Sequence, residues 1–597
     1  MLDSAMIATC VDDVRAAIGN ADFRTAEAIL SDLLRRNEHA AVLRVVDNLG
    51  ADTPNNSNLL AIRAAALVGV GRLDEALTLS LSLPDERLQQ VANVLASMEN
   101  VETSEQLETE LCRILASDRH FHPRFTRVLF AVFRDKIRGW QATGAGVGLI
   151  ERDPLFHSLL RTIDLTAVEF EIFLTGLRQR LLRLALESSD APISALDTML
   201  SIAIQCHGNE YAYYVASEEA ELLRALDRDI ATRLPDSAPL TVLVLAALMY
   251  RAPESSEWAA DLTNVDFSAV HVPTQRFVRS TLDAYHAEIA LARSFESQCE
   301  LDNDTSLRVG AMYEENPYPR WRFSIPLFNR GGKSIVAHDK LTEAAGWDPR
   351  GADVHRVLVA GCGTGLGTVT TAANFPDLQL TAIDISTRSL AYGALKAREL
   401  GISNVEFERR DILQLPSWER SFDMIEAGGV IHHMAEPDDG LRSMLACLRP
   451  HGIVKLGLYS ARARASIVRL REAFRAEFGS IGPAEIREVR HRILGRIEDS
   501  EYAEFSRLRD FYSSSGCRDL LLHEHECQYS IPELAELLNR HGLRFLRFAE
   551  GGGIYQTFHA LRGAAADVYD LDQWHDVESR APSMFAGMYV FFAQSID

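Results

Sequence analysis

The sequence predicts an α/β fold with a doubly wound parallel sheet in its C-terminal half, preceded by a large all-helical region. Three observations carry this expectation. Val357-Leu358-Val359-Ala360 is a short apolar run that passes straight into Gly361-Cys362-Gly363-Thr364-Gly365. Alternate glycines let a chain turn sharply after a buried strand and let backbone approach a ligand, because no Cβ is in the way. Leu380 to Ser386 repeats the apolar pattern and ends in an acid, Asp384. In the first half, Phe23, Ala26, Ile29, Leu30 and Leu33 follow helical spacing.

Each element follows in order. Thr368 to Ala373 opens a helix after the glycine turn. Asp384 falls about 20 residues past that turn, where α/β nucleotide sites place a ribose-binding carboxylate, a group that can accept two hydrogen bonds from a vicinal diol. A helix with Leu390, Leu395 and Leu400 comes next. Val405 to Ile412 then gives a third strand and a second acid, Asp411. Phe422 to Glu426 is a fourth strand that leads into Gly428-Gly429-Val430-Ile431-His432-His433-Met434. Leu448 to Leu456 supplies a turn and the fifth strand. Near the end, Ile531 to Leu538 reads as a helix with proline in its first turn, followed by strands at 543–548 and 588–592.

The glycine spacing separates two cofactor classes. A dinucleotide fingerprint needs a third glycine where Leu366 stands. Gly361-x-Gly363-x-Gly365, the two acids and the segment 428–434 instead resemble the motifs of class I S-adenosylmethionine (SAM) dependent methyltransferases. The resemblance implies a Rossmann-like sheet with an antiparallel last strand. It also implies a cofactor site made by Gly361, Cys362, Gly363, Thr364 and Gly365, by Asp384 with Ile385, and by Asp411 and Ile412. There Asp411 would meet the adenine amino group and Ile412 would lie against the ring. Glu426 would orient the methionine end or the acceptor. The family usually has an acid where this chain has Val359. With that strand order, residues 461–528 become an insertion after the fifth strand, rich in arginine and placed to cap an acceptor.

Met312-Tyr313-Glu314-Glu315-Asn316-Pro317-Tyr318-Pro319-Arg320-Trp321 is aromatic, acidic and stiffened by two prolines, which exclude regular helix. It resembles a segment of bacterial proteins that join a tetratricopeptide-like region to a methyltransferase domain, and the resemblance extends from about residue 150 to the C-terminus. The segment either covers the SAM pocket, with Tyr313, Tyr318 or Trp321 lining the acceptor site, or clamps two domains. Methyl transfer from a sulfonium needs mainly alignment and exclusion of water. His432 and His433, at the crevice mouth, are candidate bases for an acceptor that must lose a proton. With Tyr313 and Tyr318 they form the expected catalytic group.

The helical half divides into a tetratricopeptide-like region, 1–100, and an all-helical domain, 101–305, before the methyltransferase domain, 306–597. Ala64-Ala65-Ala66-Leu67 before Gly71, and Ala76 after it, suit a close helix pair, echoed at Asn20 to Ala28. The echoes are not one repeat length apart, so an ordinary helical bundle is the competing reading. Asp52 to Asn58 reads as a loop, and Leu240 to Tyr250 as a buried helix too short to span a bilayer. Gln205 to Tyr211 reads as a helix junction packed around Tyr211, Tyr213 and Tyr214. Cys206 and His207 adjoin on a helix and point apart, against a shared metal.

The chain has 597 residues and a net charge of −23, which argues against non-specific nucleic-acid binding and for several domains. Eight scattered cysteines and no leader-like N-terminus point to the cytoplasm, with no membrane segment. His523, His525 and Cys527 would share a strand face, with Cys517 as a conceivable fourth ligand. No zinc signature is present, so no metal is expected. Three functions stay open. The favoured one is a methyltransferase acting on a protein or other large acceptor recognised by the helical half. The others are a small-molecule methyltransferase whose helical half serves assembly, and a non-catalytic SAM-binding interaction protein.

Overall fold

The computed structural model describes residues 4–20, 22–36, 38–49, 57–81, 104–116, 123–142, 147–187, 193–234, 237–322, 343–351, 353–418, 421–478, 485–523, 526–549, 552–585 and 587–596. The chain forms two compact units. One is Met1–Leu165 with Pro192–Gln205, the other Thr166–Ala191 with Cys206–Asp597. The expected boundary near 305 does not coincide with this division, because the helices after Cys206 pack in the same unit as the sheet.

In the first unit, helices Ser4–Gly19, Phe23–Arg35, His39–Leu49, Ser57–Gly69 and Leu73–Leu81 share a core that includes Val14, Leu30, Val46 and Leu67. Ala26, Ala64 and Ala76 are buried in it, as the small-residue pattern requires of closely packed helices. Asp22 caps the second helix by accepting from the Thr25 backbone N–H. Of the predicted loop at 52–58, residues 52–56 lie outside the described residues, and Ser57 already belongs to a helix.

In the second unit, Leu240 to Tyr250 is buried throughout, mostly within the helix Ser237–Leu248. Buried Arg178 satisfies its charge nearby. Its guanidinium donates to the Tyr214 carbonyl (2.6 Å) and lies 3.9 Å from the Tyr250 ring centre. The junction after Gly208 is a turn with Glu210 and Tyr211 at positive φ. Tyr211 and Tyr213 are buried, and burial pushes the Cys206 thiol up to about 11. No helix among the described residues is long and apolar enough to cross a membrane.

The sheet has seven strands: β1 (Arg356–Ala360), β2 (Gln379–Asp384), β3 (Val405–Arg409), β4 (Phe422–Gly428), β5 (Leu448–Tyr459), β6 (Leu543–Phe548) and β7 (Met588–Ser595). Their order is β3-β2-β1-β4-β5-β7-β6, and β7 runs antiparallel to both its neighbours. Val357, Val359, Ala382, Met424 and Ile453 face one core. Leu358, Ala360, Ile383, Ile425 and Val454 face the other. Burial on both faces is why the strands read as continuous apolar runs. At about 25 cal/mol per Å² of buried apolar surface, these two faces are the main source of the domain's stability.

One boundary differs from expectation. β3 ends at Arg409 rather than Ile412, because the Asp411 carboxylate accepts from the Leu413 N–H (2.9 Å) and starts a 3-10 turn. β5 begins at Leu448, with a register shift where it meets β4 and His451 at φ +59°. Two helices between β6 and β7, Gly552–Arg562 and Leu571–Arg580, bury Trp574 against Phe548 and Phe558.

The insertion 461–528 folds as helices Ala465–Phe478, Ile486–Leu494 and Ser514–Leu522 around their own apolar core. Several of its arginines are held in ion pairs. Arg490 makes a fully buried bidentate pair with Glu171 (2.7 and 3.1 Å). Arg464 and Arg471 share Glu526, and Arg492 pairs with Glu477 and Glu488.

Candidate active site

The C-terminal ends of β1, β2 and β4 open into a cavity of about 630 Å³, a size suited to a small molecule. Gly361, Cys362, Gly363, Asp384, Ile385, Asp411 and Ile412 line it. Gly363 is at φ +52°, and a Cβ there would stand 2.9 Å from the Tyr318 carbonyl oxygen, so only glycine fits. Thr364 and Gly365 lie behind the lining. Gly365 starts the helix Leu366–Asn374, and buried Thr364 holds the strap described below.

Asp384 sits where the second strand ends. Its Oδ2 accepts from the Gly363 N–H (2.8 Å) and its Oδ1 from the Ser386 N–H (2.9 Å). Each oxygen keeps a second lone pair for a ligand. Burial pushes the carboxyl up, and the backbone donors oppose that shift. Asp411 is 2% exposed; its Oδ1 caps the Leu413 N–H, while its Oδ2 has no hydrogen-bond partner. An acceptor left buried in this way costs about 1–3 kcal/mol until a donor arrives. An adenine amino group aimed at Oδ2 would satisfy it, so the residues present fit SAM. Glu426 does not belong to this set. It pairs with Lys455 (Nζ–Oε1 2.6 Å) and is absent from the cavity wall, so its expected role at the methionine end is corrected. Val359, opposite Glu426 in the β1–β4 register, is buried in the sheet core.

The proline-stiffened segment is a strap over the glycine turn. It follows the helix Asp304–Glu315, whose Glu314 carboxylate accepts from the Thr387 and Arg388 N–H groups at the start of the helix after β2. Trp321 Nε1 donates to the Thr364 carbonyl (3.0 Å), and the Thr364 hydroxyl donates to the Pro319 carbonyl. Glu288 binds both Arg320 and Arg388. Tyr313, Tyr318 and Pro319 line the cavity, whereas Trp321 is buried behind it.

His433 lines the same cavity; His432 does not. His432 is fully buried against the Tyr459 ring (3.9 Å), and burial holds its pKa well below the usual histidine range, with His433 and Arg464 adding to the effect. Of the two candidate bases, only His433 can face an acceptor. Sequence reasoning missed the carboxylates opposite. Asp510 and Asp519, both from the insertion, line the cavity. The Tyr313 hydroxyl donates to Asp519 Oδ1 (2.7 Å), and the Tyr318 hydroxyl donates to Asp510. Burial pushes the Asp519 carboxyl up to about 6. Tyrosine–aspartate pairs more than 190 residues apart leave no local signal.

The zinc reading around 523–527 also changes. His525 lies outside the described residues. Cys517 is buried in the insertion's core, its thiol pushed up to about 12. His523 instead stacks on His433 (3.6 Å between ring centres).

Residues 357–452 match a protein family described as a methyltransferase domain. An uncharacterized protein of Synechococcus sp. is 31% identical over 211 residues, covering 33% of this chain and 48% of that protein. A demethylmenaquinone methyltransferase of Listeria monocytogenes is 24% identical over 204 residues, covering 34% of this chain and 76% of that protein. A solved structure, PKMT2 from Rickettsia typhi in complex with AdoHcy, aligns at 18% identity with a TM-score of 0.31 over 41% of this chain and 49% of that one. The chain spans about half the length of the Synechococcus relative. The match over residues 357–452 shows likeness to a methyltransferase domain, and the strand order with antiparallel β7 gives the α/β part of this chain the class I methyltransferase fold.

Proposed function

We propose that this chain is a SAM-dependent methyltransferase whose acceptor enters the cavity between the strap tyrosines and the insertion. One observation carries the reading. A single cavity holds the glycine turn, Asp384 and Asp411 on one side, and Tyr313, Tyr318, His433, Asp510 and Asp519 on the other.

SAM, when bound, supplies an activated methyl group on a sulfonium. The chain's residues do the rest. Asp384 and Asp411 hold the nucleoside by its diol and amino group. The strap carbonyls and the glycine turn close the backbone over it. Tyr313 and Tyr318 fix two carboxylates and narrow the acceptor end, which excludes water and limits the acceptor to an aligned approach. His433 Nδ1 or Nε2 takes the acceptor's proton. The acceptor is proposed to be part of a protein or another large molecule, brought by the helical half, in the cytoplasm. A small-molecule acceptor with the helical half used for assembly is the competing version.

The test is incubation of the purified full chain with methyl-labelled SAM and host lysate, split into macromolecular and small-molecule fractions. Label in protein supports the proposal, and label in metabolites supports the competing version. SAM binding without transfer of label overturns catalysis and leaves a SAM-binding interaction protein.

A further inference from the structure

We propose that His433, Asp519 and His523 form a site for one divalent transition-metal ion of the zinc type, with an open position facing the cavity. Each residue offers one ligand atom. These atoms lie within 4.8 Å of one another and all three residues are buried, and the stacked His433 and His523 rings would turn out of their stack for both nitrogens to meet one ion. Asp519 and His523 are four residues apart at the end of the helix Ser514–Leu522, a spacing that puts both on one helix face. The same i, i+4 spacing places paired metal ligands on helices elsewhere. His433 reaches them from the turn after β4.

The donor set is two imidazoles and one carboxylate. Three protein ligands with a vacant fourth position are the mark of a catalytic rather than a structural zinc site, and imidazole and carboxylate also suit cobalt(II). The vacancy has a direction. His433 and Asp519 line the cavity, so an ion has both an entry path and room for a water or an acceptor atom. The outer support is present as well. The Tyr313 hydroxyl donates to Asp519 Oδ1 (2.7 Å), orienting the carboxylate and leaving Oδ2 for the ion. Arg471 donates to the His523 carbonyl (2.9 Å), which anchors the end of the ligand helix. Arg464 and Arg471, the arginines whose charge acts on Asp519, are both committed to Glu526. Asp519 has no salt bridge among the described residues, and an ion would supply the missing positive charge.

The site's role rests on the proposed methyl transfer; its existence does not. A bound ion would take the acceptor's oxygen as fourth ligand and lower its pKa, which names the substrate class as an alcohol or phenol. With the ion bound, His433 is its ligand and not the base, so the acceptor's proton leaves to solvent. The oxygen lone pair bonds to the methyl carbon, and the carbon–sulfur bond breaks with its electrons to sulfur, giving a neutral thioether. One proton is released and no oxidant is needed.

The experiment uses the full chain, stripped with chelator and titrated with Co²⁺ and Zn²⁺. Uptake is measured by equilibrium dialysis and by the visible absorption of bound Co²⁺. S-adenosylhomocysteine binding is measured on the same samples as an independent check of fold and of the methyltransferase reading. The expected result is one ion per chain. Asp519→Asn and His523→Gln should each weaken uptake by more than the roughly 10–100-fold that outer-shell changes cost, and should retain S-adenosylhomocysteine binding. Cys527→Ala should take up the ion like the unsubstituted chain. Absence of stoichiometric uptake, or uptake unchanged in both Asp519→Asn and His523→Gln, overturns the site and leaves a stacked, hydrogen-bonded cluster. Ion uptake without S-adenosylhomocysteine binding keeps the site and overturns the methyltransferase reading.

Discussion

Asp411→Asn separates cofactor recognition from folding at a single atom. In the free protein, Oδ1 does the structural work by accepting from the Leu413 N–H, while Oδ2 is buried without a partner. The amide keeps an oxygen for the cap and places an NH₂ where Oδ2 was. That group faces the adenine amino group donor to donor. One hydrogen bond to a charged acceptor is worth about 1.5–3 kcal/mol, and about 1.4 kcal/mol is tenfold in affinity. SAM and its demethylated product should therefore bind roughly 10–100-fold more weakly. If the amide flips to present its oxygen to adenine, the cap is lost instead, and a comparable cost appears in stability. Without the flip, the melting temperature of the ligand-free protein should hold or rise slightly, because a buried unpaired carboxylate oxygen has been removed. Titration calorimetry gives the affinity, and thermal unfolding without ligand gives the stability. An unchanged affinity in a folded Asp411→Asn protein would falsify the placement of adenine at Oδ2.

Other outcomes test the remaining parts. Gly363→Ala puts a Cβ 2.9 Å from the Tyr318 carbonyl at a φ of +52°, so it should cost about 1–2 kcal/mol of stability and weaken cofactor binding; melting and calorimetry that both match the parent would remove the close strap–turn contact. His433→Ala should slow methyl transfer at nearly constant cofactor affinity, whereas His432→Ala should mainly lower the melting temperature by leaving a hole beside Tyr459; the reverse pattern would mean that the wrong ring was placed at the acceptor. Glu171→Ala strands the Arg490 charge in the interior and should cost about 3–5 kcal/mol in urea unfolding, with Glu171→Leu/Arg490→Met recovering most of it. A loss below about 1 kcal/mol would show that the insertion is not anchored there.

The α/β half was legible because its signals are local. A strand buried on both faces must be apolar along its length, and a backbone that turns at positive φ over a ligand must use glycine. Gly361 to Gly365, Asp384 and Asp411 each follow directly from a strand end, so chain order alone orders them along one sheet edge. The helix Ile531–Arg540 was equally plain from Pro532 in its first turn, and in the structure Ser530 and Glu533 complete it with a capping box. The end of β3 was misjudged because Ile412 is apolar. Its neighbour Asp411 spends its side chain on a local cap, and a local hydrogen bond outweighed the strand pattern.

Tertiary structure alone decided the cavity wall opposite the glycine turn. His432 and His433 are equivalent in sequence, and only packing against Tyr459 buries one ring and leaves the other on the cavity wall. Glu426 has the residue type for a cofactor role, but Lys455 on the adjacent strand neutralises it. The buried arginines of the insertion, Arg464, Arg471 and Arg490, are claimed by Glu526 and Glu171, which are distant in the chain. Asp519 and His523 gain meaning only when helix Ser514–Leu522 is laid over the turn that carries His433. A residue's local role depends on backbone geometry, which a few neighbours dictate. Its charge, proton affinity and access to a ligand depend on groups brought close through space, and those are set only when the whole chain has packed.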